Sequence, residues 1–425
     1  MVINKNIIMV SVLVVASFVS GCSSNAARTE KPVAQVKSKS PQPSNLDKAF
    51  KVVKQQTPKA HKVIAKPKKV VKARPKPARK VVKRPTRPVQ RGSWGMQRAN
   101  SLSGDFSSNP RTHAFINKMV TIHGFDRGHL NYLFSNTRAT PFLQKMAFRD
   151  AYPVKRTRKA RKGSWTRYRN LFLTNKTINQ GVQFWKQNRV ALQRAEQRYG
   201  VPQEYILGII GVETRYGGNV GKNRAMDALA NMGFNNARRG KYFQSELESY
   251  LLMTRRTGLN PLQPMASYAG ALGLCQFMPS NIKRYGVDHD GSGACNLWTP
   301  SDAIGSVANY FRKHGWRKGG PVAVMATTEG RGYRNFKSSY KRTHSLSKMQ
   351  KNGIYPIGPI DQSVRLLRMS TNSGDEVWLA GHNFYVITRY NHSSKYAMAV
   401  HQLAQEIKKR IKGGRPQRMA SLTLK

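Results

Sequence analysis

Glu213 stands inside YILGIIGVETRYGG, residues 205–218, an apolar run in a chain poor in acids. Ile206, Ile209 and Ile210 lie at i−7, i−4 and i−3 from it, so on a helix they share its face. A carboxylate on an apolar stripe is costly to ionise, and it must either pair with a cation or keep its proton. An acid that keeps its proton near neutral pH can protonate a leaving oxygen, the step that cleaves a glycosidic bond. A structural ion pair with one of the many arginines is the other reading; Arg215, two residues on, projects elsewhere on the helix. A second stretch, MASYAGALGLCQFMPSNIKRYG, interleaves Ser267, Tyr268, Gln276 and Phe277 with small residues. Small residues allow close packing beside a groove, while Gln and Tyr offer neutral hydrogen bonds and ring faces suited to sugars. A tight helix junction without a ligand would read the same way. A third stretch, DHDGSGACNLWTPSD, sets Asp288, Asp290 and Ser292 at alternate positions before Gly293, the spacing that opens a calcium-binding loop. An ion-free Asp/Gly-rich turn is its alternative.

Several helices must position these groups. Folded chain is expected from near Pro110, where Phe115, Met119, Ile122 and Phe125 recur at near-helical spacing, followed by Leu130, Leu133 and Phe134. The stretch from Asn179 to Gly217 reads as two helices broken at Gly200–Pro202. YFQSELESYLLMTRR, PSNIKRYG and SDAIGSVANYFRKHG read as further helices, the last with Ser301 as N-cap. SVRLLRMS, EVWLAG and FYVITRYN read as short strands. A closing helix carries Ala397, Val400, Leu403, Ala404 and Ile407 on one face. The whole is a mainly α (α+β) body with a small antiparallel sheet.

The balance of 74 Lys plus Arg against 19 Asp plus Glu, a net charge of +55, draws the chain to polyanions of some kind. The first residues narrow the choice. A lysine, an apolar run from Ile7 to Val19 and small residues before Cys22 form a secretory signal, too short for a comfortable membrane span. VSGC resembles a bacterial lipobox, which implies lipidation at Cys22. Ser24 replaces the aspartate that would retain a lipoprotein at the inner membrane, so the implied place is the periplasmic face of the outer membrane. Export speaks against a nucleic-acid partner. From about Ala26 to Arg91 Lys, Arg, Pro, Val and Ala dominate, a composition that cannot bury enough surface to fold. At about 3.1 Å per residue such a spacer reaches on the order of 200 Å at full stretch, and its charge suits anionic lipid or polymer. Cys275 and Cys295 remain, either as a bridged pair or as two buried thiols.

GIIGVETRYGG, GALGLCQFMPS, AIGSVANYFRKHGW and FYVITRYNHSSKYAMAV, in that order, resemble lytic murein transglycosylases of the membrane-bound B type, from about Ala114 to Ile407. The resemblance implies a lysozyme-like helical core, a flanking helical domain and a small β domain. The expected boundaries are a signal at 1–22, a linker at 23–105, a catalytic region at 106–412 with its β domain at about 355–392, and a tail at 413–425. It implies cleavage of the MurNAc-β-1,4-GlcNAc bond of peptidoglycan with 1,6-anhydromuramoyl ends. Glu213 matches the catalytic acid; Ser267, Gln276, Phe277, Tyr310, Tyr390, Asn391 and Tyr396 match the groove lining. Tyr168, Arg238, Arg239 and Tyr242 match contacts to glycan or stem peptide. No cofactor is required; Ca2+ or Na+ would sit among Asp288, Asp290, Ser292, Ala294 and Asp302 in an elongated EF-hand-like loop. A wall-binding lipoprotein that kept the groove without activity is the alternative function.

Overall fold

The computed structural model describes residues 96–153 and 162–413. The expected signal, Cys22, most of the linker and the tail beyond residue 413 lie outside the described residues. The linker boundary moves, because residues 96–105 are tied down. Ala99 N donates to the Gly128 carbonyl at 2.9 Å. Asn131 Nδ2 reaches the Ala99 and Asn100 carbonyls, both at 3.3 Å. Ser103 N donates to Ser135 Oγ at 2.9 Å.

Three capped helices follow. α1 (Pro110–His123) starts behind Asn109, α2 (Arg127–Ser135) behind Asp126 and α3 (Pro141–Ala151) behind Thr140, each side chain accepting from the first turn. Phe115 and Met119 are buried as expected, but Ile122, in the last turn of α1, is 65% exposed. Asp126 accepts from His129 N at 2.7 Å and also pairs with Arg98 at 3.1 Å. Asp126→Ala is expected to cost about 1 kcal/mol in urea unfolding, through the lost cap.

α4 (Ser164–Arg169) leads to three helices where two were expected: α5 (Asn175–Gln187), α6 (Arg189–Tyr199) and α7 (Gln203–Thr214). The extra break falls at Asn188, whose side chain returns to the Phe184 carbonyl at 2.9 Å and competes with the helical ladder. A two-stranded ribbon pairs β1 (Asn223–Arg224) with β2 (Met265–Ala266), around α8 (Ala225–Phe234) and α9 (Gly240–Thr257). α10 (Pro279–Tyr285) and α11 (Pro300–Lys313) follow. Thr299, not Ser301, holds the N-cap position of α11, since Pro300 takes the first helical place; Ser301 Oγ instead accepts from Arg194 at 3.3 Å.

The sheet spans more chain than the expected 355–392. Its antiparallel order is β4-β6-β7-β3-β5, from β3 (Ala323–Thr328), β4 (His344–Ser345), β5 (Ile354–Pro356), β6 (Ser363–Ser370) and β7 (Asp375–Ala380). A short helix, α12 (Leu346–Gln350), joins β4 to β5. FYVITRYN is not a strand but part of α13 (His382–Tyr390), where Phe384, Val386, Ile387 and Tyr390 pack inward. Its β-branched residues suit either state, and packing decides. α14 (Ser394–Ile411) buries Ala397, Val400, Leu403, Ala404 and Ile407 as expected. The core centres on α7, packed by α5, α6, α11 and α14. Among the described residues no helix is long and apolar enough to cross a membrane.

Candidate active site

Between Tyr205 and Thr214 every residue of α7 is buried except Glu213, which keeps some open surface near the helix end. Two glycines let its neighbours come close. A Cβ on Gly208 would stand 2.8 Å from the Val400 carbonyl, so only glycine lets α14 lie against α7 here. That approach brings Tyr396, in the first turn of α14, to Glu213: its hydroxyl donates to Oε1 at 2.6 Å. A Cβ on Gly211 would stand 2.4 Å from the Tyr216 hydroxyl, so the Tyr216 ring folds back over the helix. The turn that permits this is strained, with Arg215 at φ 51 and Tyr216 at φ 60. Thr214 Oγ1 donates to the Leu274 carbonyl at 2.9 Å and accepts from Gly217 N at 3.1 Å. The end of α7 is thereby latched to the turn at residues 272–277.

Burial pushes the Glu213 carboxyl up to about 7, and the Tyr396 hydrogen bond pulls only partly the other way. Among the described residues no cation pairs with it, and no second acid adds to the rise. The ion-pair reading is therefore set aside; Arg215 is exposed. Burial and then the Glu213 charge hold the Tyr168 hydroxyl far above its ordinary range. Burial, followed by Cys275 and Glu213, does the same for Tyr390. Glu213 thus takes a hydrogen bond from the Tyr396 hydroxyl, while the hydroxyls of Tyr168 and Tyr390 stay protonated.

The other groove candidates divide by what their polar atoms already do. Gln276, at φ 50, donates to the Gly273 and Val220 carbonyls at 3.0 and 3.2 Å, which ties its turn to the segment after α7. Ser267 Oγ accepts from Ala271 N at 3.1 Å. Phe277, Tyr310 and Tyr390 form one buried aromatic cluster, with ring centroids 4.8 to 5.7 Å apart. The Tyr390 hydroxyl donates to the Cys275 carbonyl, and that of Tyr310 to the Arg389 carbonyl at 2.6 Å. These three rings pack beside the turn at residues 272–277, and Asn391 is also buried. Arg238, Arg239 and Tyr242 gather around Asp150. Thr214, Gly208 and Tyr216 were passed over by sequence reasoning, though Thr214 and Tyr216 lie inside ETRYGG. A hydroxyl latch and a helix contact leave no chemical signature in a motif.

The Transglycosylase SLT domain family matches residues 107–405. Membrane-bound lytic murein transglycosylase B of Escherichia coli is 47% identical over 309 residues, 72% of this chain and 85% of that protein. This chain belongs to the lytic transglycosylase family. An Escherichia coli lytic transglycosylase solved in complex with bulgecin A is 46% identical, with a TM-score of 0.68, and the match covers 73% of this chain and 96% of that one. A Pseudomonas aeruginosa relative solved with NAG-anhNAM-pentapeptide is 26% identical at a TM-score of 0.61, over 70% of this chain and 78% of that one. The kinship carries the lysozyme-like fold expected for the core.

In this transglycosylase the acidic loop is compact. Asp288, Asp290 and Asp302 each place a carboxylate oxygen within 4.8 Å of the others. Asp302 is buried in the first turn of α11 and takes His289 N and Asn296 N, each at 2.7 Å. Ser292 Oγ donates to the Ala294 carbonyl at 3.2 Å. Burial would raise the Asp290 carboxyl, but hydrogen bonds with Ser292 prevail and lower it. Three carboxylates this close are a donor set for a hard cation. The Escherichia coli enzyme has also been solved in complex with calcium. The cysteine alternatives resolve towards thiols, since Cys275 and Cys295 are both free. Burial raises the Cys275 thiol strongly and that of Cys295 to about 11, so neither is a ready nucleophile.

Proposed function

We propose that this enzyme cleaves the MurNAc-β-1,4-GlcNAc bond of peptidoglycan and leaves 1,6-anhydromuramoyl ends, with Glu213 as acid and then base. The observation that carries this is a lone carboxyl, raised to about 7 by burial and free of any ion pair among the described residues. Such a group is partly protonated and partly ionised near neutral pH, as a single residue serving both roles requires. Glu213 gives its proton to the glycosidic oxygen as the C1–O bond breaks. The C6 hydroxyl of the same muramoyl residue then bonds to C1, and its proton returns to Glu213. No water is consumed and no second carboxylate is needed, because the nucleophile is already held in the substrate. Tyr396 orients the carboxyl and steadies its ionised form between the two transfers. Tyr168, Gln276 and Ser267 edge the cleft, and the wall of Phe277, Tyr310 and Tyr390 fixes its shape. Mass spectrometry of purified peptidoglycan after incubation tests the reading. Anhydro products support it; products heavier by one water would mean hydrolysis, and bound but uncut strands would mean a binding protein.

The loop of Asp288, Asp290, Ser292, Ala294 and Asp302 is proposed to hold Ca2+ or Na+, which would brace α11 rather than take part in the chemistry. At Ca2+ a hundredfold above its dissociation constant the gain would be about 2.7 kcal/mol. Calorimetry with and without Ca2+ is expected to show a higher Tm that Asp288→Asn largely removes. Lipid attachment at Cys22 would tether the enzyme to the periplasmic face of the outer membrane, with the basic linker giving reach and adhesion to anionic lipid or polymer. That proposal draws on the lipobox resemblance and on the membrane-bound Escherichia coli relative.

A further inference from the structure

α3 turns Leu143, Met146, Ala147 and Ala151 inward against α8. Its outer stripe carries Lys145, Phe148, Arg149 and, one residue past the helix, Tyr152, at i, i+3, i+4 and i+7. Phe148 is 63% exposed and Tyr152 59%, and the two rings stand with centroids 4.8 Å apart at 43°. Single exposed hydrophobic residues are ordinary on a protein surface. Two large rings paired side by side and flanked by two cations form a platform that suits an apolar face bearing acidic groups.

The stripe is also fixed to the groove candidates. Asp150, on the same helix, accepts from Arg239 Nη1 at 3.0 Å and from Asn236 Nδ2 at 2.8 Å. Its carbonyl accepts from Arg238 Nη2 at 2.7 Å. The Arg239 guanidinium in turn lies 5.0 Å over the Tyr242 ring. Burial raises the Tyr268 hydroxyl, beside Ser267, and the charges of Asp150, Arg239 and Arg149 all reach it. The C-terminal end of α3 therefore borders the same edge as Ser267 and Tyr242.

We infer that the Phe148–Tyr152 pair is an outlying subsite of the glycan groove. The rings take the apolar face of an N-acetylated sugar far along the strand, and Lys145 and Arg149 meet carboxylates of its stem peptide. This rests on the peptidoglycan reading above and adds a dependence on strand length.

The test uses the full chain with Phe148→Ala and Tyr152→Ala combined, two exposed positions whose loss leaves the core intact. Values of kcat/KM are measured on long peptide-bearing glycan strands and on a tetrasaccharide-peptide. The long-to-short ratio is expected to fall about tenfold, through KM, which corresponds to about 1.4 kcal/mol. An unchanged ratio, with the unaltered enzyme still releasing anhydro products, overturns the subsite and leaves the proposed reaction standing. An unchanged ratio with lost binding to anionic phospholipid vesicles also overturns it and assigns the stripe to a lipid surface. If the unaltered enzyme makes no anhydro products, the reaction is what fails. Cosedimentation with sacculi still reads the platform then: about tenfold weaker binding by the double variant upholds it, and equal binding rejects it.

Discussion

Glu213→Gln is expected to abolish lysis of purified sacculi, lowering the rate by at least ~10³-fold, while raising stability at alkaline pH. General acid or base catalysis alone contributes roughly 10² to 10⁴ in rate, and here one group supplies both. Gln keeps the shape and can still accept from Tyr396, so the wall of the site persists. The stability effect follows from the sign of the shift. The carboxyl rises from 4.5 to about 7 on folding, so the folded chain holds this proton more tightly than the unfolded one. Its contribution is therefore favourable below about pH 4.5 and is lost as pH climbs through 7. A neutral amide avoids that loss. The variant should match the parent at pH 4 and exceed it by up to about 3 kcal/mol at pH 8. Denaturant unfolding at both pH values reads this, and turbidity of a sacculus suspension reads the activity. A Gln variant that still lyses sacculi would remove Glu213 from the mechanism.

Tyr396→Phe is expected to move the pH profile upwards and to lower the maximal rate by roughly ten- to a hundredfold. The Tyr396 hydroxyl donates to Glu213 at 2.6 Å and favours the ionised form, opposing the rise that burial causes. Without it the carboxyl titrates still higher, so the acid form persists to more alkaline pH. The falling limb of kcat/KM, set near pH 7 in the parent, should shift to higher pH in the variant. The rate falls because the carboxylate must now take the C6 proton without its partner and with one fewer restraint on its rotamer. Rates from pH 5 to 9 on one substrate preparation decide this. A limb that stays put, or moves down, would mean that Tyr396 only packs against the acid.

Much of the site was legible because its parts are local. Glu213 stands out as an acid on the stripe of Ile206, Ile209 and Ile210, and α7 needs only helical geometry to put it there. The apolar face of α14 was equally plain from its spacing. Errors arose where local preference was balanced. FYVITRYN has the β-branched and aromatic residues of a strand, yet it forms α13 because packing of Phe384, Val386 and Ile387 favours a helix. Residues 96–105 lack periodicity and look like linker, yet backbone groups on α2 and the side chains of Asn131 and Ser135 hold them.

The sequence by itself determined that an isolated acid would lie on an apolar helix, that mostly helical elements would surround it, and that the acidic loop had cation-binding spacing. Such properties depend on side-chain type and on periods of a few residues. Only the tertiary structure decided that Tyr396, 183 positions away, supplies the hydrogen bond, and that Thr214 latches the helix end to the Leu274 carbonyl. It also decided that the Tyr390 and Tyr310 hydroxyls are taken by the Cys275 and Arg389 carbonyls. The reason is that burial and pairing arise from contacts between distant segments. A raised carboxyl needs both the desolvation those contacts produce and the absence of a nearby cation, and neither is written in the spacing of one helix.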